Sequence, residues 1–211
     1  MADERGIASF LDALASNAPS PGGGAAAALA GALAAACAEM VGRFTVGRPR
    51  FAAVEQRAAA AVERLVALRA TLLAQMAADE RAFAAVSAAY KLPKGTDEER
   101  AARQSAIQAA LIAAMAPPLE VMRRGCDTLE AASELAAAGN PSVVSDAACA
   151  AILGEAAVRA AAVNVRANTA LLGDSPAAGQ AEHEAARREV RAAALRDQTL
   201  VAAAGRGRGA P

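Results

Sequence analysis

The sequence predicts an all-α fold, an up-down bundle of long helices that assembles as a dimer, and three observations predict it. Hydrophobic residues fill 55% of the 211 positions, yet aromatics supply only 2% and tryptophan is absent. Alanine carries most of that apolar content. Its small side chain and high helix propensity let helices approach closely, while sheet formers are too sparse for a strand-rich core. Residues 51–92 contain neither Gly nor Pro. Apolar side chains recur along them at alternating steps of three and four, the near-heptad spacing of a long bundle helix. Gly and Pro punctuation elsewhere divides the chain into further long helices with no domain boundary.

In chain order, a short helix is expected over about Asp3–Ser16, followed by the loop NAPSPGGG (Asn17–Gly24). That loop opens a second helix running to about Phe44. The third helix spans Phe51 to Leu92, with the stripe Phe51, Val54, Ala58, Ala61, Leu65, Leu68, Leu72, Met76, Asp79, Phe83, Val86, Tyr90. Thr96 and Glu99 form a capping box for the fourth helix, which Pro117 and Pro118 break or kink before it ends near Gly139 and Asn140. The fifth long helix covers Ser142–Leu172 with Ser145 as its N-cap. Ser175 and Pro176 supply the cap and first turn of a last, polar helix. The expected domain is 1–205, with 206–211 a disordered tail.

Alanine-lined seams on helices this long are hard to bury within one chain, which predicts a homodimer. A formal net charge of +0 argues against a nucleic-acid partner, which needs a basic face. Ala25–Val41 imitates a membrane span but is mostly alanine and carries Glu39, so a buried helix is expected and no membrane partner. Cys37, Cys126 and Cys149 show no metal-ligand spacing. Their odd number, with no signal-peptide pattern at the start, predicts reduced thiols in a cytoplasmic protein. The single histidine, His183, sits among charges and reads as a surface residue.

Asp79 is the only charge on the stripe of the third helix. A buried carboxylate is costly unless paired or used. Asp146 and Asn164 are eighteen residues apart, five full turns, so they share a face of the fifth helix, and Asn168 follows one turn later. Asp146 can support the helix start, and the asparagines can satisfy one another in a dimer seam. Together with Asp79, Lys91 and Lys94, these residues point to a polar cleft between helices. SPGGGAAAALAG lacks the lysine of a P-loop and the preceding strand of a dinucleotide fingerprint. Its glycines either permit a sharp turn into a tightly packed helix or present free amides to an anion or carbonyl.

Four stretches then carry a resemblance: Phe10–Phe51 around the triple glycine, Asp79–Glu99 (DERAFAAVSAAYKLPKGTDEE), Gly139–Ala147 (GNPSVVSDA) and Asn164–Asn168 (NVRAN). In that order, across nearly the whole chain, they resemble the cyclodeaminase/cyclohydrolase family of folate enzymes. This family includes stand-alone methenyltetrahydrofolate cyclohydrolases and the C-terminal domain of formiminotransferase-cyclodeaminase. The resemblance implies an all-helical dimer that binds tetrahydrofolate derivatives in a cleft near the dimer interface. One position departs: a serine commonly follows the triple glycine in this family, and here it is Ala25. The absence of a formiminotransferase domain from these residues favours the stand-alone cyclohydrolase.

The implied reaction is hydrolysis of 5,10-methenyltetrahydrofolate to 10-formyltetrahydrofolate, with no cofactor and no metal. The methenyl bridge is an amidinium-like cation, and Asp79 is placed to stabilise it and accept a proton from attacking water. Lys94 or Lys91 can donate a proton to the departing N5 or bind the glutamyl tail. Asp79, Lys94, Lys91 and Asp146 are thus the catalytic candidates. Gly22, Gly23, Gly24, Tyr90, Asn140, Ser145, Asn164, Asn168 and Arg43 are the candidates for binding substrate. Asp146 and the asparagines suit the pterin edge, and Arg43 with its neighbours Arg48 and Arg50 suits the glutamate. Formiminotetrahydrofolate cyclodeaminase needs similar groups and is the alternative. An inactive folate-binding helical protein is the second alternative, motivated by Ala25.

Overall fold

The computed structural model describes residues 6–207, and every regular element among them is helical. The α-helices are α1 (Ile7–Leu14), α2 (Gly23–Arg43), α3 (Glu55–Tyr90), α4 (Asp97–Ala114), α5 (Ala116–Ala138), α6 (Val144–Leu172) and α7 (Pro176–Gly207). Short 3-10 turns at Pro49–Val54 and Pro141–Val143 precede α3 and α6.

α2 lies at the centre because its residues are small. Most of its alanines are buried, and it touches α3, α5 and α6. Close approaches set the directions. Gly24 meets Asp79 and Gly42 meets Val62, so α2 and α3 are antiparallel. Gly23 meets Asn164 and Gly31 meets Ala157, so α2 and α6 are antiparallel as well. A Cβ on Gly125 would come within 2.7 Å of Val158 Cγ2, so only glycine permits this α5–α6 crossing. Charged pairs fasten α7 outside: Arg123 Nε to Glu184 at 2.8 Å joins it to α5, and Glu189 pairs with Arg166 of α6. Stretches 23–43, 97–138 and 141–172 are long and apolar enough to cross a membrane by length and composition. In the bundle, α2 spends that surface on its neighbours.

Several boundaries follow the chemistry expected of them. Thr96 and Glu99 make the capping box, with Glu99 N–H donating to Thr96 Oγ1 at 3.2 Å. Ala178 N–H donates to Ser175 Oγ at 3.1 Å at the start of α7. Others differ. The third helix starts later than Phe51, because Phe51 leaves helical geometry and Pro49–Val54 forms a tight turn first. Ser145 is not the cap of α6, which already begins at Val144. Asn140 takes that role one turn earlier, its Oδ1 accepting from the Ser142 N–H at 3.0 Å. The first helix starts at Ile7, and Asp3 to Arg5 lie outside the described residues. Arg206 and Gly207 belong to α7 rather than to a tail, with Arg206 donating to the Ala136 carbonyl at 3.4 Å. Residues 208–211 lie outside the described ones.

The stripe of α3 is buried from Ala58 through Met76 and then surfaces, leaving Phe83 44% and Tyr90 42% exposed. There α3 packs mainly against α4, around a small core of Ala89, Ile107 and Leu111 that Leu172 of α6 also touches. Cys37, Cys126 and Cys149 are free thiols, and burial pushes Cys126 up to about 11. His183 is exposed on α7.

Within α5, Thr128 Oγ1 is buried without a hydrogen-bond partner among the described residues. A buried hydroxyl in that state costs free energy that an isosteric methyl does not. Thr128→Val should therefore raise stability by about 1 kcal/mol, read as a higher urea midpoint at unchanged slope. A lower midpoint would show that the hydroxyl does have a partner.

Candidate active site

α2 begins with glycines, and its N-cap, Gly22, offers no side chain to the unsatisfied first-turn amides. The antiparallel run of α3 brings Asp79 to that end. Its carboxylate lies against Gly24 so closely that a Cβ there would overlap it. A carboxylate at a helix N-terminus meets both unbonded amides and the positive end of the helix dipole. Desolvation by burial raises the Asp79 pKa above the usual carboxylate range. Hydrogen bonding from the Ala25 amide opposes that rise, and Glu80 adds to it.

α6 supplies the facing wall. Asn164 Nδ2 donates to the Ala160 carbonyl at 2.9 Å. Asn168 Nδ2 donates to the Asn164 carbonyl at 3.2 Å and to the Ala114 carbonyl at 3.4 Å. The second acceptor has a local cause: Pro118 has no N–H, so the Ala114 carbonyl four residues earlier loses its helical partner. With both Nδ2 groups engaged by backbone, the two amide oxygens remain as acceptors.

Between these walls lies a cavity of about 350 Å³, lined by Pro19, Ser20, Gly22, Gly23, Gly24, Asp79, Ala82, Phe83, Val86, Leu111, Ala114, Asn164, Ala167, Asn168 and Leu171. Asp79 is its one ionisable side chain. The rest of the lining is glycine backbone, the Ser20 hydroxyl, amide and apolar surface. Such a cavity suits a flat ligand that carries positive charge or N–H donors beside an apolar body. Among the described residues no group of three His, Cys, Asp or Glu side chains is arranged to hold a metal ion. A larger cavity of about 700 Å³ lies between α3 and α5, with Arg57, Arg64 and Glu134 on its wall. Arg64 and Glu134 there neutralise each other at 3.5 Å. The smaller one, which holds the raised carboxylate, is the candidate site.

The structure thus gathers Asp79, Gly22, Gly23, Gly24, Asn164 and Asn168 from three helices, and leaves the other candidates elsewhere. Asp146 shares a face with Asn164 but stands ~27 Å away along α6 at 1.5 Å per residue, beside Cys37 and Cys149. Ser145 is exposed at that same far end. Arg43 donates through Nε to Glu39 at 2.7 Å, and Arg69 holds the other oxygen at 3.0 Å, so this pair fastens α2 to α3. Asn140 bonds the Phe44 carbonyl through Nδ2 at 3.0 Å. Tyr90 lies roughly 16 Å beyond Asp79 on α3, with Arg103 over its ring at 5.6 Å. Lys91 and Lys94 are exposed in the loop after α3. Sequence reasoning passed over Phe83, because an aromatic on a helical stripe reads as core.

A profile of the formiminotransferase-cyclodeaminase family matches residues 6–187. The chain is 44% identical to a methenyltetrahydrofolate cyclohydrolase of Methylorubrum extorquens over 174 residues, 82% of this chain and 84% of that one. It is 39% identical to the formimidoyltransferase-cyclodeaminase of Rattus norvegicus over 162 residues, 77% of this chain but only 30% of the rat protein. The crystal structure of a formiminotetrahydrofolate cyclodeaminase from Thermotoga maritima superposes with a TM-score of 0.87 at 29% identity, covering 97% of this chain and 98% of that one. The chain belongs to the formiminotransferase-cyclodeaminase family.

Proposed function

We propose that this protein is an enzyme that hydrolyses 5,10-methenyltetrahydrofolate to 10-formyltetrahydrofolate. The observation that carries the reading is a cavity whose one ionisable group is a carboxylate of raised pKa, held at a helix N-terminus and faced by two amide oxygens. The similarity to the Methylorubrum cyclohydrolase over most of both chains supports the choice of reaction.

The substrate's bridging carbon is electrophilic, and its positive charge is spread over N5 and N10. Asp79 balances that charge and accepts a proton as water attacks. The carbon becomes tetrahedral, carrying a hydroxyl. Its bond to N5 then breaks as N5 takes the proton back from Asp79, and loss of the hydroxyl proton leaves the formyl group on N10. Substrate cation plus water gives neutral product plus one proton, and no cofactor enters that balance. The Asn164 and Asn168 oxygens receive the N–H groups of the pterin. Ala25 contributes its backbone amide, which the family's usual serine would also possess. Lys91 and Lys94 suit the glutamyl tail better than the reacting centre, since neither lines the cavity. Formiminotetrahydrofolate cyclodeamination is the second reading, favoured by the rat and Thermotoga relatives. Ammonia release distinguishes it.

The active form is a cytoplasmic homodimer in this reading. On α6, Cys149, Ile152, Ala156, Ala160, Val163 and Ala167 form an exposed uncharged row, and Leu33 and Met40 of α2 extend it. Ile152 is 53% and Val163 63% exposed, a poor arrangement for a lone chain. A two-fold axis near the middle of this face would set the far end of each α6, with Asp146, Ser145 and Asn140, toward the partner's cavity. That arrangement reunites the candidates that lie apart in one chain.

Two outcomes follow. The purified protein should accelerate loss of the methenyl absorbance above the spontaneous rate. Asp79→Asn should reduce that rate by about two orders of magnitude or more while folate still binds; undiminished turnover would remove Asp79 as the base. Because burial raises its pKa, the required carboxylate form is lost as pH falls through a value above the usual range near 4, and the acid limb of kcat should sit there. The same sign makes the charged carboxylate a cost to folding at neutral pH, so Asp79→Asn should not lower the melting temperature. In the second test, light scattering should give a dimer, and Ile152→Glu with Val163→Glu should yield inactive helical monomers. A wild-type monomer would contradict the shared face.

A further inference from the structure

We infer that Phe83 is the face on which the cationic ring of the substrate stacks, so that this residue makes the site prefer the charged methenyl form over neutral folates. The inference rests on the function proposed above. Phe83 is one turn beyond Asp79 on α3, so the two side chains share a face and reach the cavity together. The ring is 44% exposed although it belongs to the apolar stripe of its helix. It meets no cation and no second ring among the described residues. Phe10, by contrast, is spent on the core at 2% exposure. Aromatic residues are rare in this chain, and Phe83 is the one that lines the cavity holding the raised carboxylate.

The ligand chemistry completes the reading. An amidinium-like cation needs negative charge along its edge and gains from an electron-rich face beneath it. Asp79 supplies the first and Phe83 the second, from adjacent turns of one rigid helix. Val86 and Leu111 extend the apolar wall and exclude water from that side. Hydrolysis removes the positive charge, so the product loses both attractions at once and leaves more readily than the substrate.

The test compares Phe83→Leu, which keeps apolar bulk, with Phe83→Tyr, which keeps the ring. Each is measured by KM for 5,10-methenyltetrahydrofolate, by Kd for the neutral 5-formyl derivative, and by light scattering. Phe83→Leu should raise KM about tenfold and change kcat little, with a clearly smaller change in Kd for the neutral ligand. Phe83→Tyr should stay near wild type. Equal weakening for both ligands, wild-type KM in Phe83→Leu, or a shift in oligomeric state as its only effect would each overturn the stacking role. Failure of the proposed function itself is separate, since wild-type protein would then leave the methenyl compound at its spontaneous rate.

Discussion

The contact between the Asp79 carboxylate and the start of α2 is the constraint on which the site depends. α2 opens on glycines without a side-chain cap, so its first amides need a partner from another part of the chain. Asp79 comes from the middle of α3, and only a glycine at position 24 leaves room for it. The same arrangement keeps the carboxylate partly desolvated, which raises its pKa, while the Ala25 amide prevents that cost from growing further. A polar group on an apolar stripe is thus a structural partner for a helix end, and in the proposed reaction its raised pKa suits it to the role of base.

Small side chains make this geometry possible. Gly23, Gly24, Gly31 and the alanines of α2 bring three backbones together, so groups on α2, α3 and α6 converge on a cavity of about 350 Å³. The proline pair contributes from a distance. Pro118 frees the Ala114 carbonyl, and that carbonyl orients Asn168. Each wall of the site is therefore fixed by backbone chemistry rather than by a network of charged side chains.

Much of this was legible in the sequence. Alanine content, Gly and Pro punctuation, the capping box at Thr96 and Glu99, and the cap at Ser175 define the helices to within a few residues. The lone Asp79 on its stripe pointed to the cavity that it lines. What periodicity could not carry was distance along an axis: Asp146 and Asn164 share a face yet stand at opposite ends of α6. Nor does a stripe reveal where its cover ends, so Phe83 read as core although α3 beyond Asp79 packs mainly against α4. Ser145 looked like a cap because a serine before an apolar run usually is one; the 3-10 turn begun at Asn140 started the helix earlier. Lys91 and Lys94 drew notice by proximity in sequence, but a loop after a protruding helix pair points them to solvent.

The most direct test of the central contact is Gly24→Ala, with turnover and thermal unfolding measured on the same preparation. Alanine is the better helix former by about 0.5–1 kcal/mol, so the bundle should stay folded. The added methyl must displace Asp79, and methenyltetrahydrofolate hydrolysis should fall by roughly two orders of magnitude. A folded Gly24→Ala protein with wild-type turnover would contradict the account, because the carboxylate would then have no need of its place against α2.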